Sequence, residues 1–148
     1  MKYQTVNNSN INILYKLNKQ LAIDENQLSL FTAKRKTYKK AFICKNPIVF
    51  GILMYKNNIP IGFIIYINKF ATYLASKVLF IEDIYLTKKY QTKNNINELL
   101  QYMINKSNIE KYSRIEMRVL NNYSLNKTII KKNKFSKIKK WNTYRFEL

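Results

Sequence analysis

Two acids stand side by side in an otherwise apolar run, Glu82 and Asp83 within VLFIEDIYL at residues 78–86. A carboxylate in such a setting can take a proton from an amine or fix a cation, provided that it faces a cleft. A second chemical opportunity follows a polar turn. Asn94 and Asn95 precede an apolar stripe of Ile96, Leu99, Leu100, Met103 and Ile104, with Asn97, Glu98 and Gln101 off it. That spacing predicts an amphipathic helix starting at Asn94, with Asn94 and Asn95 as its caps. The free amides of its first turn would form a positive helix end able to hold an anionic group.

The elements that must position these residues follow from periodicity. Residues 78–86 are rich in branched and aromatic types suited to a strand, and neighbouring strand residues face opposite ways, so only one of Glu82 and Asp83 can look into a given cleft. Ile11, Leu14, Leu17 and Leu21 predict a helix over 9–22, and 32–43 reads as a second, strongly basic one. Residues 48–55 and 59–67 predict a hairpin around Asn57 and Asn58, a good tight-turn pair even without glycine. The second of these strands is apolar on both faces, which places it in the middle of a sheet. After the helix that starts at Asn94 another strand is expected, then a short helix over 124–132 carrying Leu125 and Ile129, and a closing strand with Trp141 and Tyr144 as core and edge residues. The expected order is β-α-α-β-β-β-α-β-α-β, an α/β (α+β) chain with residues 1–148 forming one domain.

Composition removes whole classes of chemistry. There is no histidine, which excludes a Ser/His/Asp hydrolase and most zinc sites, and no metal site is expected. The only glycines, Gly51 and Gly62, both fall in expected strands, which excludes a Walker loop, a dinucleotide fingerprint and a nucleophile elbow. The longest apolar runs, near 48–55 and 59–67, fall far short of the ~20 residues of a membrane span, so no transmembrane segment is expected. An asparagine-rich start argues against a secretory leader, and the single Cys44 suits a reducing compartment, so a cytoplasmic setting is expected.

Residues 78–148 resemble the GNAT acetyltransferases, most closely the diamine (spermidine/spermine-like) branch. That branch carries a strand reading roughly YLEDLYV, then a Q/R-x-x-G-x-G/A turn and a helix. IPIGFIIY at 59–66 is similar to its central strand, SRIEMRVL at 113–120 to the strand after the cofactor helix, and WNTYRFEL at 141–148 to its W-T-x-Y-R-L ending. The resemblance implies a mixed central sheet with helices on both faces and acetyl-CoA as the cofactor. It implies that the amides of Ile84 and Leu86 and the turn of Gln91, Asn94, Asn95 and Ile96 hold acetyl-CoA, and that Glu82 handles the substrate amine. Two departures are plain. Asn94 and Ile96 stand where the turn has small residues, so side chains occupy space that glycine leaves for pyrophosphate. The family's general-acid tyrosine falls on Ile130, which has no proton to give, and the glycine before Phe135 is Lys134. Glu82 is thus either the base or a hydrogen-bond acceptor at a bulge. Asp83 is either a substrate contact or a structural one, and Tyr123 either a phenol near the missing tyrosine's place or a packed aromatic.

The charge is the other large feature, 27 basic residues against 8 acidic ones for a net +19. Lys34, Arg35, Lys36, Lys39 and Lys40 crowd the second helix. Lys127, Lys131, Lys132, Lys134, Lys137, Lys139 and Lys140 crowd the C-terminal region. Such a field attracts nucleic acid or another polyanion, although a chain rich in Lys, Asn, Ile and Tyr together also reflects the bias of an AT-rich genome. It repels polyamines unless a few acids make a local negative pocket, so an amine on an acidic or otherwise anionic molecule is the expected acceptor. Two functions fit. One is an acetyl-CoA-dependent N-acetyltransferase acting on a primary amine of a small molecule or protein, with reduced activity. The other is a catalytically inactive basic binding module of the same fold for nucleic acid, ribosome or an acidic protein. The resembled branch usually forms homodimers.

Overall fold

Alternation of side chains along pleated strands sorts the apolar residues of this chain onto the two faces of one sheet. A computed structural model describes residues 1–119, 127–140 and 142–146, without the side chains of residues 127–129. β1 (Lys2–Thr5) leads into α1 (Ile11–Asp24) and α2 (Arg35–Phe42). β2 (Val49–Lys56), β3 (Ile59–Ala71) and β4 (Ser76–Leu86) follow, then α3 (Lys93–Ile109), β5 (Arg114–Met117) and α4 (Lys127–Lys132). The strands lie in the order β1-β2-β3-β4-β5, antiparallel throughout except for the parallel pair β4 and β5. β3 is central, as its two apolar faces predict.

Leu53, Phe63, Ile65 and Tyr85 turn to one face and pack with Ile11, Leu14, Leu21 and Phe42 of α1 and α2. Ile52, Met54, Ile64, Tyr66, Leu79, Ile81 and Leu86 turn to the other and pack with Leu99 and Met103 of α3. Each fully buried side chain of this kind contributes about 1.5–3 kcal/mol, so helices on both faces hold the sheet. The β2–β3 turn uses the expected pair, Asn57 and Asn58 at φ 50° and 62°. These left-handed values match the twist of the flanking strands, and asparagine tolerates them better than most residues. Gly62 serves a different purpose, since a Cβ there would lie 2.3 Å from the carbonyl oxygen of Tyr85. β3 therefore approaches β4 closely just where β4 ends.

Several expected bounds move. α3 begins at Lys93 and its cap is Thr92, whose hydroxyl accepts from the Asn95 N–H at 3.2 Å, so Asn94 and Asn95 lie in the first turn instead of capping it. α2 covers only Arg35–Phe42 of the expected 32–43. The closing strand is not formed by residues 142–146, which pair with no strand and leave Tyr144 88% and Phe146 86% exposed. Aromatic and branched residues record a capacity for a pleated surface, but a strand needs a partner edge, and no strand among the described residues pairs with this segment. Trp141, Glu147 and Leu148 lie outside the described residues. So do residues 120–126, which include Tyr123, Leu125 and the start of the expected helix over 124–132.

Candidate active site

The parallel ladder between β4 and β5 is short. Val78 to Ile81 pair with Arg114 to Met117, and beyond that rung Glu82 to Leu86 pair with no strand on this side among the described residues. The divergence coincides with a bulge. Opposite β3, Ile65 pairs with Asp83 and Tyr66 with Ile81, which leaves Glu82 as the extra residue. A bulge bends its strand and increases the local twist, which interrupts a regular ladder at this point. The amide directions past the bulge follow from one hydrogen bond, Thr87 N–H to the carbonyl of Ile61 in β3 at 2.8 Å. Backbone groups alternate sides along a strand, so the N–H groups of Ile84 and Leu86 point to the opposite edge, the one β5 has left. On that edge the Leu86 carbonyl accepts from the Gln91 side-chain amide at 2.8 Å. Gln91 thus ties the turn to the open strand.

The start of α3 stands beside this edge. Asn95 donates its side-chain amide to the Tyr90 carbonyl at 2.8 Å, and its own N–H is taken by Thr92. The N–H groups of Lys93 and Asn94 have no hydrogen-bond partner among the described residues, and Lys88, Lys89 and Lys93 are exposed around them. Ile96, expected to fill the turn, packs inward with Ile84 and Tyr90 against the Leu86–Leu99–Met103 core. A separate cleft of about 430 Å³ lies toward β1 and the β2–β3 turn, lined by Met1, Lys2, Tyr55, Lys56, Asn57, Asn58, Asn95 and Glu98 and by no residue of β4 or β5.

The two neighbouring acids meet different surroundings. Glu82 pairs with the Arg118 guanidinium, both partly exposed. Asp83 is mostly buried and accepts from the Asn18 side chain of α1 at 3.2 Å. Burial pushes its carboxyl above the usual carboxylate range and Glu82 adds to this, while Asn18 and Arg118 pull the other way. Glu25 is raised as well, by burial and then by Asp83. Asp24 goes down instead. Burial raises it, but hydrogen bonds from Tyr85 at 2.8 Å and Gln20 at 3.0 Å, with Lys88 at 3.4 Å, more than offset this. Four of the eight acids of a +19 chain therefore meet at the junction of α1 and β4. Among the described residues neither Asp83 nor Glu25 has an ion pair. Asp24 and Glu25 also close α1 at the end where the helix dipole disfavours anions.

This arrangement sets a stability expectation. A carboxyl with a raised folded-state value is more stably protonated in the native chain, so its unfavourable contribution appears as pH rises through that value. Asp83→Asn is expected to raise the melting temperature at pH 7 by ~2–4 °C, the shift that about 1 kcal/mol gives at this size. The gap to the wild type should close as pH falls, because wild-type Asp83 then becomes neutral too. A lower melting temperature at pH 7, or a gap indifferent to pH, would contradict the burial argument.

Sequence reasoning singled out Glu82, Asp83, Ile84, Leu86, Gln91, Asn94, Asn95 and Ile96, and all of them lie along β4 and the turn into α3. It missed Asn18, Asp24, Glu25, Tyr85 and Arg118. One signal was available: the dipeptides Asp24–Glu25 and Glu82–Asp83 hold half the acids of the chain. Tyr123 lies outside the described residues, and Ile130 is a partly buried residue of α4. No three metal-ligating side chains are grouped, and no helix is long and apolar enough to cross a membrane, among the described residues.

No family model and no curated protein matches this sequence. Solved structures do match. A probable acetyltransferase superposes with TM-score 0.84 at 15% identity, over 100% of this chain and 98% of the other. A ribosomal-protein-alanine N-acetyltransferase from Brucella melitensis biovar Abortus 2308 gives 0.78 at 9% identity over 100% of both chains. An aminoglycoside N-acetyltransferase in complex with CoA gives 0.68 at 13% identity, over 99% of this chain and 100% of the other. The chain has the GNAT fold of these acetyltransferases, a five-stranded mixed sheet flanked by helices.

Proposed function

We propose that the chain is an acetyl-CoA-dependent N-acetyltransferase acting on a primary amine. The observation that carries this reading is the open edge of β4, where the N–H groups of Ile84 and Leu86 face the gap left by β5 beside the free amides of Lys93 and Asn94. An extended chain of amides can pair with the first two, and a phosphate can sit at the second pair. The comparison structure solved with CoA supports this choice of ligand. When bound, acetyl-CoA supplies the acetyl thioester. Glu82, at the apex of the gap, takes the amine's proton directly or through water. Gln91 and Asn95 brace the turn, and Ile96 seats it on the core.

Asp83, Glu25 and Asp24 give an amine cation a local negative field within a basic surface. An acceptor that carries both an amine and an anionic group suits that combination, with Asp83 as the nearest substrate-side acid. The sequence resemblance to the diamine branch, carried by residues 59–66, 78–96, 113–120 and the closing WNTYRFEL, supports an amine as the acceptor. A lone, exposed Cys44 suits the reducing cytoplasm.

Calorimetry with acetyl-CoA tests the reading. Binding with a Kd on the order of micromolar is the expected result. No heat at millimolar ligand would overturn it and leave the second reading, a basic binding module. That alternative has its own support: Lys34, Arg35, Lys36, Lys39 and Lys40 are all exposed and without ion pairs among the described residues. Exposed Lys131, Lys132, Lys134, Lys137, Lys139 and Lys140 form a second basic stretch. RNA binding that falls steeply with salt would then be the positive result.

A further inference from the structure

We infer that Arg118 is a catalytic residue of the proposed transfer, its guanidinium stabilising the negative charge that builds on the departing sulfur. The inference rests on the acetyltransferase reading and names the group that serves the departing sulfur.

The argument starts from the ladder. Its last backbone rung joins Ile81 to Met117, and the next position along both strands is Glu82 opposite Arg118, joined by an ion pair instead. Arg118 therefore stands beside Glu82 where the ladder ends, and Glu82 lies two residues before Ile84, whose amide opens the free edge. A guanidinium is charged at every working pH and offers five donors. Its side chain is 54% exposed, and Glu82 is its only polar partner among the described residues. It also rests over the Phe80 ring at 5.5 Å, which restrains its direction without consuming donors. Arg118 can thus add a partner while staying in place.

Pairing with Glu82 gives this cation its timing. The acceptor enters as an ammonium, whose first proton passes through Glu82 to solvent; the free amine nitrogen then forms a bond to the acetyl carbon, and the carbon–sulfur bond breaks with its electron pair leaving on sulfur. The proton lost by nitrogen goes to Glu82. A protonated Glu82 no longer neutralises Arg118, so the guanidinium is left unbalanced as negative charge appears across the gap. The sulfur then takes a proton from water, Glu82 returns its own to solvent, and the ion pair reforms. Charge stabilisation of this kind from one donor is worth roughly 10²–10³ in rate.

The test compares Arg118→Met and Arg118→Lys with the wild type in single-turnover transfer. Two acetyl donors are used, acetyl-CoA and the acetyl thioester of thionitrobenzoate, whose thiol is far more acidic. Arg118→Met is expected to lose about 10²–10³ with acetyl-CoA but less than about tenfold with the activated donor, which needs little help in leaving. Arg118→Lys should keep most of the rate, and calorimetry should show acetyl-CoA bound equally by all three. Equal losses on both donors with binding intact would overturn the assignment and leave Arg118 as a strut for Glu82. Failure of the wild type to bind acetyl-CoA would instead overturn the acetyltransferase reading, and this inference with it.

Discussion

Glu82→Gln is expected to slow acetyl transfer by about 10²–10⁴ at neutral pH while leaving acetyl-CoA affinity within about twofold. Glutamine keeps the length of the side chain and an oxygen for Arg118, so the bulge and the ion-pair site keep their shape. What disappears is the capacity to accept the amine's proton. Cofactor affinity should hold because the groups proposed to bind it are backbone amides of Ile84, Leu86, Lys93 and Asn94, none of which involves the carboxylate. The pH dependence separates this role from a structural one. An amine is mostly protonated at neutral pH, so without a base the variant depends on free amine from solution, and its rate should climb with pH toward that of the wild type. A variant as fast as the wild type at pH 7 would reduce Glu82 to the spacer of a bulge. A variant that loses acetyl-CoA binding and rate together would point to a collapsed gap.

Gly62→Ala carries the largest expected cost in stability, about 2–3 kcal/mol by urea denaturation. The new methyl group would meet the Tyr85 carbonyl oxygen at 2.3 Å and the Leu86 Cα at 3.1 Å, both backbone atoms of a central strand. β4 can yield only by moving off β3, and the part that must move carries the Leu86 amide and the carbonyl held by Gln91. Acetyl-CoA affinity should therefore fall along with stability. Gly51→Ala is the control. Its Cβ would meet Val6 Cγ2 at 2.6 Å and Leu14 Cδ2 at 3.0 Å, side-chain ends that can shift, so about 1 kcal/mol is expected. If the Gly51 variant proved the more damaging of the two, close approach of β3 to β4 could not be the reason for Gly62.

These expectations join a base to the acids around it. Lysine and arginine outnumber acids by 27 to 8, yet Asp83 and Glu25 sit partly buried with no ion pair among the described residues. A nearby lysine would relieve that cost. If the proposed acceptor binds beside these acids, Asp83→Asn should weaken its binding while raising stability.

Local patterns carried much of this protein. The two-sided apolar run of β3 determined a central strand, because no other place in a sheet buries both faces. Asn57–Asn58 determined the hairpin through its tolerance of left-handed φ, and the Ile96–Leu99–Leu100–Met103 stripe determined which side of α3 faces the sheet. Each depends only on residues within a turn or two. The extra residue at Glu82, the parting of β4 from β5, the Arg118 partner and the gathering of Asp24 and Glu25 beside Asp83 depend on how distant segments cross, and periodicity holds no record of that. The end of the chain shows the same division: residues 142–146 have strand-forming side chains but pair with no strand among the described residues. The sequence alone determined which residues could do chemistry, and the tertiary structure decided which carboxylate meets a cation, which is buried, and which backbone amides remain free, because those outcomes are set by contacts between elements.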